Sequence, residues 1–244
     1  MIQSFRTVLT SVLALLLTAC AQSGETGRAV RGFDPKQIGK ADIDRVADAH
    51  RRAVFEHVRV LAEKLYRRNP REWKKSGHAS VEAALNQLLD PRSNWRLAEL
   101  ADYAKRPPTD KILLALQEDY AGDRVAAFVA GIGSMLNAAF EYKNEFFMLD
   151  ELDPQKFYNS ARNIEIAMWK LANARDASGN LLLLSNEIAA AGQPPNLSFE
   201  REFGKLIGNL DMLASIIADK QNRVIARVVQ SVATALFLPV VTLK

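Results

Sequence analysis

Residues 198–217, SFEREFGKLIGNLDMLASII, decide the reading of the fold. Phe199, Phe203, Leu206, Leu210, Leu213 and Ile217 recur alternately four and three residues apart. That period lays apolar side chains along one narrow seam of a helix that faces a partner helix. The spacing predicts a helix capped by Ser198. After a polar interruption at 219–223, Val224, Val228, Val232 and Leu236 resume the pattern, so the predicted helix bends there and continues to about Leu238, where Pro239 ends it.

The same period recurs upstream. Ile43, Ala47, Val54, Leu61 and Leu65 predict a helix over 42–68, capped by Asp42 and closed at Asn69-Pro70. A short helix starts at Pro70, the favoured first position for proline, and Ser80 opens another that runs to about Leu89. Residues 94–105 form a further helix, broken by Pro107-Pro108. From Thr109, Ile112, Leu113, Leu116 and Tyr120 continue to a break at Ala121-Gly122, and helical spacing then runs from Asp123 to Met148. Phe157, Ala161, Ile164, Met168 and Leu171 predict a helix from Pro154 to Arg175, followed by a turn at Ser178-Gly179-Asn180. The run Leu181–Leu184 suits a short buried strand, but Asn186, Glu187 and the alanines beyond favour a helix. No alternating strand pattern appears. The fold class is all-α, a multi-helix bundle in a single domain over 41–244.

The chain has one cysteine among 244 residues, and it sits at the end of a leader. Arg6 supplies a positive charge, Val8 to Leu17 an apolar stretch, and Thr18-Ala19 small residues, which is the anatomy of a secretory signal peptide at 1–19. The apolar stretch is too short to span a bilayer, which takes ~20 residues. Leu17-Thr18-Ala19-Cys20 resembles the lipobox of bacterial lipoprotein precursors. The resemblance implies that the Cys20 thiol is diacylglycerated and that cleavage falls just before it. Ala21, in place of an aspartate, implies export to the outer membrane in a Gram-negative cell; in a Gram-positive cell the lipobox implies the cell surface. An unmodified Cys20 would be a lone thiol in an oxidising compartment. Residues 20–40, rich in Gly, Ser, Gln and charge, read as a flexible tether between lipid and body.

Of 32 basic and 28 acidic side chains only Arg6 lies in residues 1–19, so the mature body keeps a mild positive charge, one less than the +4 of the whole chain. Interleaved charge and an exported address argue against nucleic acid as a partner.

Catalytic and cofactor signatures are missing from the sequence. No Gly-x-Ser-x-Gly elbow, His-Glu-x-x-His zinc spacing or Walker loop occurs. His50 and His57 lie about 10 Å apart along one helix face, too far to share a metal; their functional reading is a protonation-sensitive pair at a helix interface. His78 has no evident partner. Ala130-Gly131-Ile132-Gly133 lies inside a helical pattern, where small residues let a neighbouring helix approach. No cofactor is expected.

Three surfaces stand out. Glu141, Glu145, Asp150, Glu151 and Asp153 crowd beside Phe140, Tyr142, Phe146, Phe147, Phe157 and Tyr158. This acidic, aromatic corner reads either as a filled helix junction or as a groove, with Glu141, Glu145 and Glu151 as candidate catalytic acids and Phe146, Phe147 and Tyr158 as binding residues. Arg51, Arg52, Arg59, Lys64, Arg67, Arg68, Arg71, Lys74 and Lys75 outnumber Glu56, Glu63 and Glu72. They form either a solvated face or one attracted to anionic headgroups or cell-wall carboxylates, led by Arg51, Arg52, Arg59, Arg67 and Arg68. The apolar runs 125–140 and 228–243 suit a central layer or an apolar-ligand site.

Together these features favour a lipid-anchored envelope protein, facing the periplasm, that acts by binding as a structural or assembly component for an envelope protein or peptidoglycan. A cell-wall glycan or peptide hydrolase built on the 140–158 corner is the alternative, and an apolar-ligand carrier or membrane-perturbing protein a third.

Overall fold

The computed structural model describes residues 38–90, 95, 106–186, 196–228 and 231–240. The leader, Cys20 and most of the tether fall outside the described residues, as does the helix expected at 94–105 except for Trp95. The body is the unit Gly39–Lys244. Among the described residues it contains seven helices and no strand: α1 (Asp42–Arg68), α2 (Pro70–Lys75), α3 (Val81–Leu88), α4 (Pro108–Ala115), α5 (Arg124–Ala139), α6 (Pro154–Asn173) and α7 (Ser198–Gln221). The fold is an all-α bundle.

Four long helices close a ring. α7 packs on α1 and α6, and α5 packs on the other sides of both; α4 lies along α5, and α2 and α3 cover the α1–α5 end. The seam of α7 is buried throughout, from Phe199 to Ile217. Each buried Leu or Phe contributes about 1.5–3 kcal/mol, which outweighs the roughly 1 kcal/mol that Gly204 and Gly208 each cost a helix interior. In α5 every residue except Ser134 is buried, as expected of a helix apolar all round. Gly131 is where α4 crosses it: a Cβ there would lie 2.7 Å from Ile112 Cγ1 and 2.8 Å from the Ile112 nitrogen.

Several helix ends differ from the sequence expectation, each for a tertiary reason. Asp42 is the first residue of α1 rather than its cap, and the Asp44 carboxylate instead accepts the Ala41 N–H at 2.7 Å. Ser198 does not cap α7: its hydroxyl accepts from Lys64 Nζ at 2.7 Å, while Asn186 Oδ1 takes the Phe199 N–H at 3.2 Å. Gly39 and Lys40 join the body rather than the tether, Gly39 accepting the Met148 N–H and Lys40 pairing, buried, with Asp48. Helix α5 stops at Ala139, not Met148, because Glu141 and Tyr142 take φ of +52° and +58° and their N–H groups fold back onto Ala138 and Asn137. Left-handed backbone costs about 1–2 kcal/mol per non-glycine residue, so packing must hold this turn, and no glycine marks it. Residues 181–186 are neither strand nor helix.

The largest difference is at the C-terminus. α7 ends at Gln221, not near Leu238: Asn222 adopts the left-handed conformation and the Arg223 N–H returns to the Ala218 carbonyl at 2.9 Å, a glycine-type stop that asparagine tolerates. Beyond it the described residues, 223–228 and 231–240, form a non-helical strap laid on α6. Gln155 accepts the Ala226 N–H and donates to the Ala226 carbonyl, at 2.9 and 3.0 Å. Asn163 does the same to Leu238, at 2.6 and 2.8 Å, and Asn159 donates to the Pro239 carbonyl at 2.7 Å. Val240 ends up buried in the core.

Candidate functional site: a basic cleft at the α1–α2 corner

Below the C-terminal end of α1 the structure forms a cleft of about 960 Å³, a size that suits a small ligand. Arg68 closes α1 on its edge; Pro70, Arg71 and Lys75 come from α2, Glu118 from the α4–α5 connection, Arg124 from the first turn of α5, and Arg175 to Leu184 from the turn after α6.

The turn is built locally. Asp176 Oδ1 accepts the N–H groups of Ser178 and Asn180, at 3.0 and 2.8 Å, Gly179 supplies the positive φ, and Arg175 bridges Leu181 in antiparallel fashion. These contacts, led by the Asn180 N–H and then its side-chain amide, hold the Asp176 carboxyl below its ordinary range. The turn is then fastened to the helical corner by the buried Asn69, which accepts the Leu184 N–H at 2.7 Å and donates to the Leu184 and Leu65 carbonyls at 2.9 Å. Glu118 adds a third tie, accepting the Ala177 N–H at 2.9 Å.

Not all the cations here are available to a ligand. Arg124 donates to the carbonyls of Ala115, Gln117 and Glu118, a cationic cap on the C-terminal end of α4. Fully buried Glu72 accepts the Arg124 N–H at 2.9 Å and holds Lys75 at 2.8 Å. Arg71 reaches Glu72 at 3.3 Å and Leu182 O at 3.4 Å while its side chain stays 68% exposed; Arg175 donates one N–H to Gly179 O and is exposed. Beneath the cleft Asp123 caps α5 and accepts the Tyr66 hydroxyl at 2.9 Å; burial raises its pKa against those hydrogen bonds.

No family model, curated protein or solved structure matches this chain. What the site does has to be argued from its residues.

Of the basic residues singled out in the sequence, Arg68, Arg71 and Lys75 line the cleft. Arg59 pairs with Glu56 and Glu63, and Arg67 with Glu63 and Glu82, along the outside of the bundle. Arg52 is exposed. Arg51 lies over the Phe55 ring at 4.6 Å and donates to Asn144, burial lowering its pKa. The sequence reading missed Arg175, which lies more than a hundred residues from Arg68 and carries no local mark beyond the adjoining turn.

In the acidic corner Phe140, Phe146 and Phe157 are buried in the core, with ring centroids 6.0 and 4.9 Å apart. Phe147 lies under Lys40, and Tyr158 lies beside Arg162 and accepts the Val228 N–H. Glu141 pairs with Lys156 at 2.7 Å, Asp150 pairs with Lys143 and takes the Phe147 N–H, Asp153 caps α6, and Glu145 and Glu151 are exposed. His57 Nδ1 lies 3.0 Å from Glu202, whereas buried His50 Nδ1 has no partner among the described residues. Among those residues no helix is long and apolar enough to cross a membrane, and no group of three or more potential ligands is placed to hold a metal.

Proposed function

We propose that this chain is a lipid-anchored bacterial envelope protein that acts by binding, as a structural or assembly component for another envelope protein or for the cell wall. The observation that carries the anchor is Leu17-Thr18-Ala19-Cys20 behind its apolar leader. The basic cleft supports the binding role, because envelope surfaces are rich in phosphate and carboxylate groups that arginines recognise.

Metabolic labelling with palmitate tests the anchor: the wild-type chain takes up label and Cys20→Ser does not. Absence of label, or label persisting in the variant, overturns it. Crosslinking followed by pull-down of the intact lipoprotein tests the role. A reproducible envelope partner or retention on purified sacculi is expected, and neither appearing removes the binding assignment.

A further inference from the structure

We infer that the strap and α7 form a two-state switch: in one state the strap covers α6, and in the other α7 runs on as a helix and α6 is open to an extended peptide of a binding partner. The inference deepens the binding role proposed above by naming the face and the class of ligand, and rests on that role for the partner, though not on the lipid anchor. Sequence and fold disagree along this segment. Residues 209–238 contain no glycine or proline, and Val224, Val228, Val232 and Leu236 recur at helical spacing beyond the end of α7. A local preference that the fold overrides marks a functional or strained place. Here the override turns on Asn222, an exposed residue with φ of 52°. Returning it to right-handed backbone lets α7 continue.

The two states compete for the same backbone groups. In the clamped state the N–H groups of Ala226, Val228 and Leu238 donate to Gln155, the Tyr158 hydroxyl and Asn163 of α6. In a continued helix they donate instead to the carbonyls of Asn222, Val224 and Thr234, four residues back. One N–H cannot point both ways, so the states exclude each other. The clamped state leaves Val224 96% and Leu236 79% exposed, while Ile225, Phe237 and Val240 pack on the core. Release uncovers Gln155, Asn159 and Asn163, spaced four apart on one face of α6. These carboxamides grip main chain rather than side chains. An extended segment of other sequence therefore fits the same row, with an apolar residue in the place of Val240. Such a segment binds only the released state and pulls the switch toward it.

Opposite substitutions at the hinge test the switch in the full chain. Asn222→Ala favours the helix, because alanine resists left-handed backbone and has the highest helix propensity; Asn222→Gly favours the strap on both counts. The probe is a fluorescein-labelled peptide with the sequence of residues 223–240, read by anisotropy. Saturable binding is expected, at least about tenfold tighter to Asn222→Ala than to Asn222→Gly, because apparent affinity scales with the fraction of chains in the open state. Two additions to Asn222→Ala separate the parts of the claim. Asn163→Leu removes a clamp and weakens the peptide at least about tenfold. Arg227→Pro, on an exposed strap residue, blocks the continued helix and returns affinity to within about twofold of Asn222→Gly. Thermal melts check folding; Gln155→Ala replaces Asn163→Leu, and the exposed Ala233→Pro replaces Arg227→Pro, should either fail to fold. No binding, equal affinity for the two hinge variants, full affinity without the clamp, or a gain that survives the proline overturns the switch. So does a stable dimer of Asn222→Ala, seen by light scattering, that excludes the peptide. Each of these leaves the palmitate and pull-down results untouched.

Discussion

Replacing Asn163 tests the C-terminal strap most directly. The residue is fully buried on α6, and its carboxamide satisfies both the N–H and the C=O of Leu238. Asn163→Leu keeps a similar volume but removes donor and acceptor together. Removing one partner leaves each of the two partly buried Leu238 groups unpaired at about 1–3 kcal/mol apiece, so the variant should lose about 2–6 kcal/mol. For a domain of this size each kcal/mol lowers Tm by about 2–4 °C. The assays are urea unfolding of the full chain and hydrogen exchange at Leu238 and Val240. Asn173→Ala is the control: its amide bonds only the Trp169 carbonyl, on an exposed face of the same helix, so a change within about 0.5 kcal/mol is expected. Wild-type stability together with unchanged exchange in Asn163→Leu would refute the clamp. It would instead favour a helix running on toward Leu238, which would give this amide no such role.

Two further outcomes follow from buried groups. Asp123 has its pKa raised from an ordinary 3.8, first by desolvation, so the folded state holds the proton more tightly than the unfolded chain. Its stabilisation is therefore full below about pH 4 and is lost as pH rises through the folded value. Asp123→Asn keeps an amide oxygen for the Ala126 N–H and turns its NH2 to the Tyr66 oxygen, which then accepts, and its urea-unfolding free energy relative to wild type should rise with pH above 4. A pH-independent difference refutes the assignment. Gly131→Ala puts a methyl against the Ile112 backbone; overpacking of about 1–3 kcal/mol exceeds the helix-propensity gain of about 1 kcal/mol. A net loss is expected by thermal melt, and a more stable variant would show that α4 does not cross α5 so closely.

The interior of the bundle was legible because periodicity reports burial. The seam from Phe199 to Ile217 and the stripe from Ala47 to Leu65 are buried where their spacing puts them, and Ser80 caps α3 as read, accepting the Ala83 N–H. Periodicity cannot report where a helix stops when the stop is set from outside it. Val224 to Leu236 keep helical spacing, yet Val224 and Leu236 are exposed, because Asn222 ends the helix first and the backbone beyond finds its partners on α6. The end of α5 was equally silent, since Glu141 and Tyr142 carry no glycine to announce positive φ.

The unread contacts share one chemistry. Asn69, Gln155 and Asn163 each hold the N–H and C=O of a single residue that lies 115, 71 and 75 positions away. A carboxamide offers donor and acceptor side by side, as a neighbouring strand would, so it can pair irregular backbone that has no ladder to join. In the sequence such residues read as turn formers or solvated polar positions, and nothing local names their partner. The cleft depends on one of these clamps: Asn69 ties Leu184, and with it the turn that carries Arg175, onto the corner that carries Arg68 and Arg71. The signal for the candidate site was therefore divided between an amide that reads as a helix stop and an arginine that reads as a loop charge, and it becomes a site only once the fold joins them.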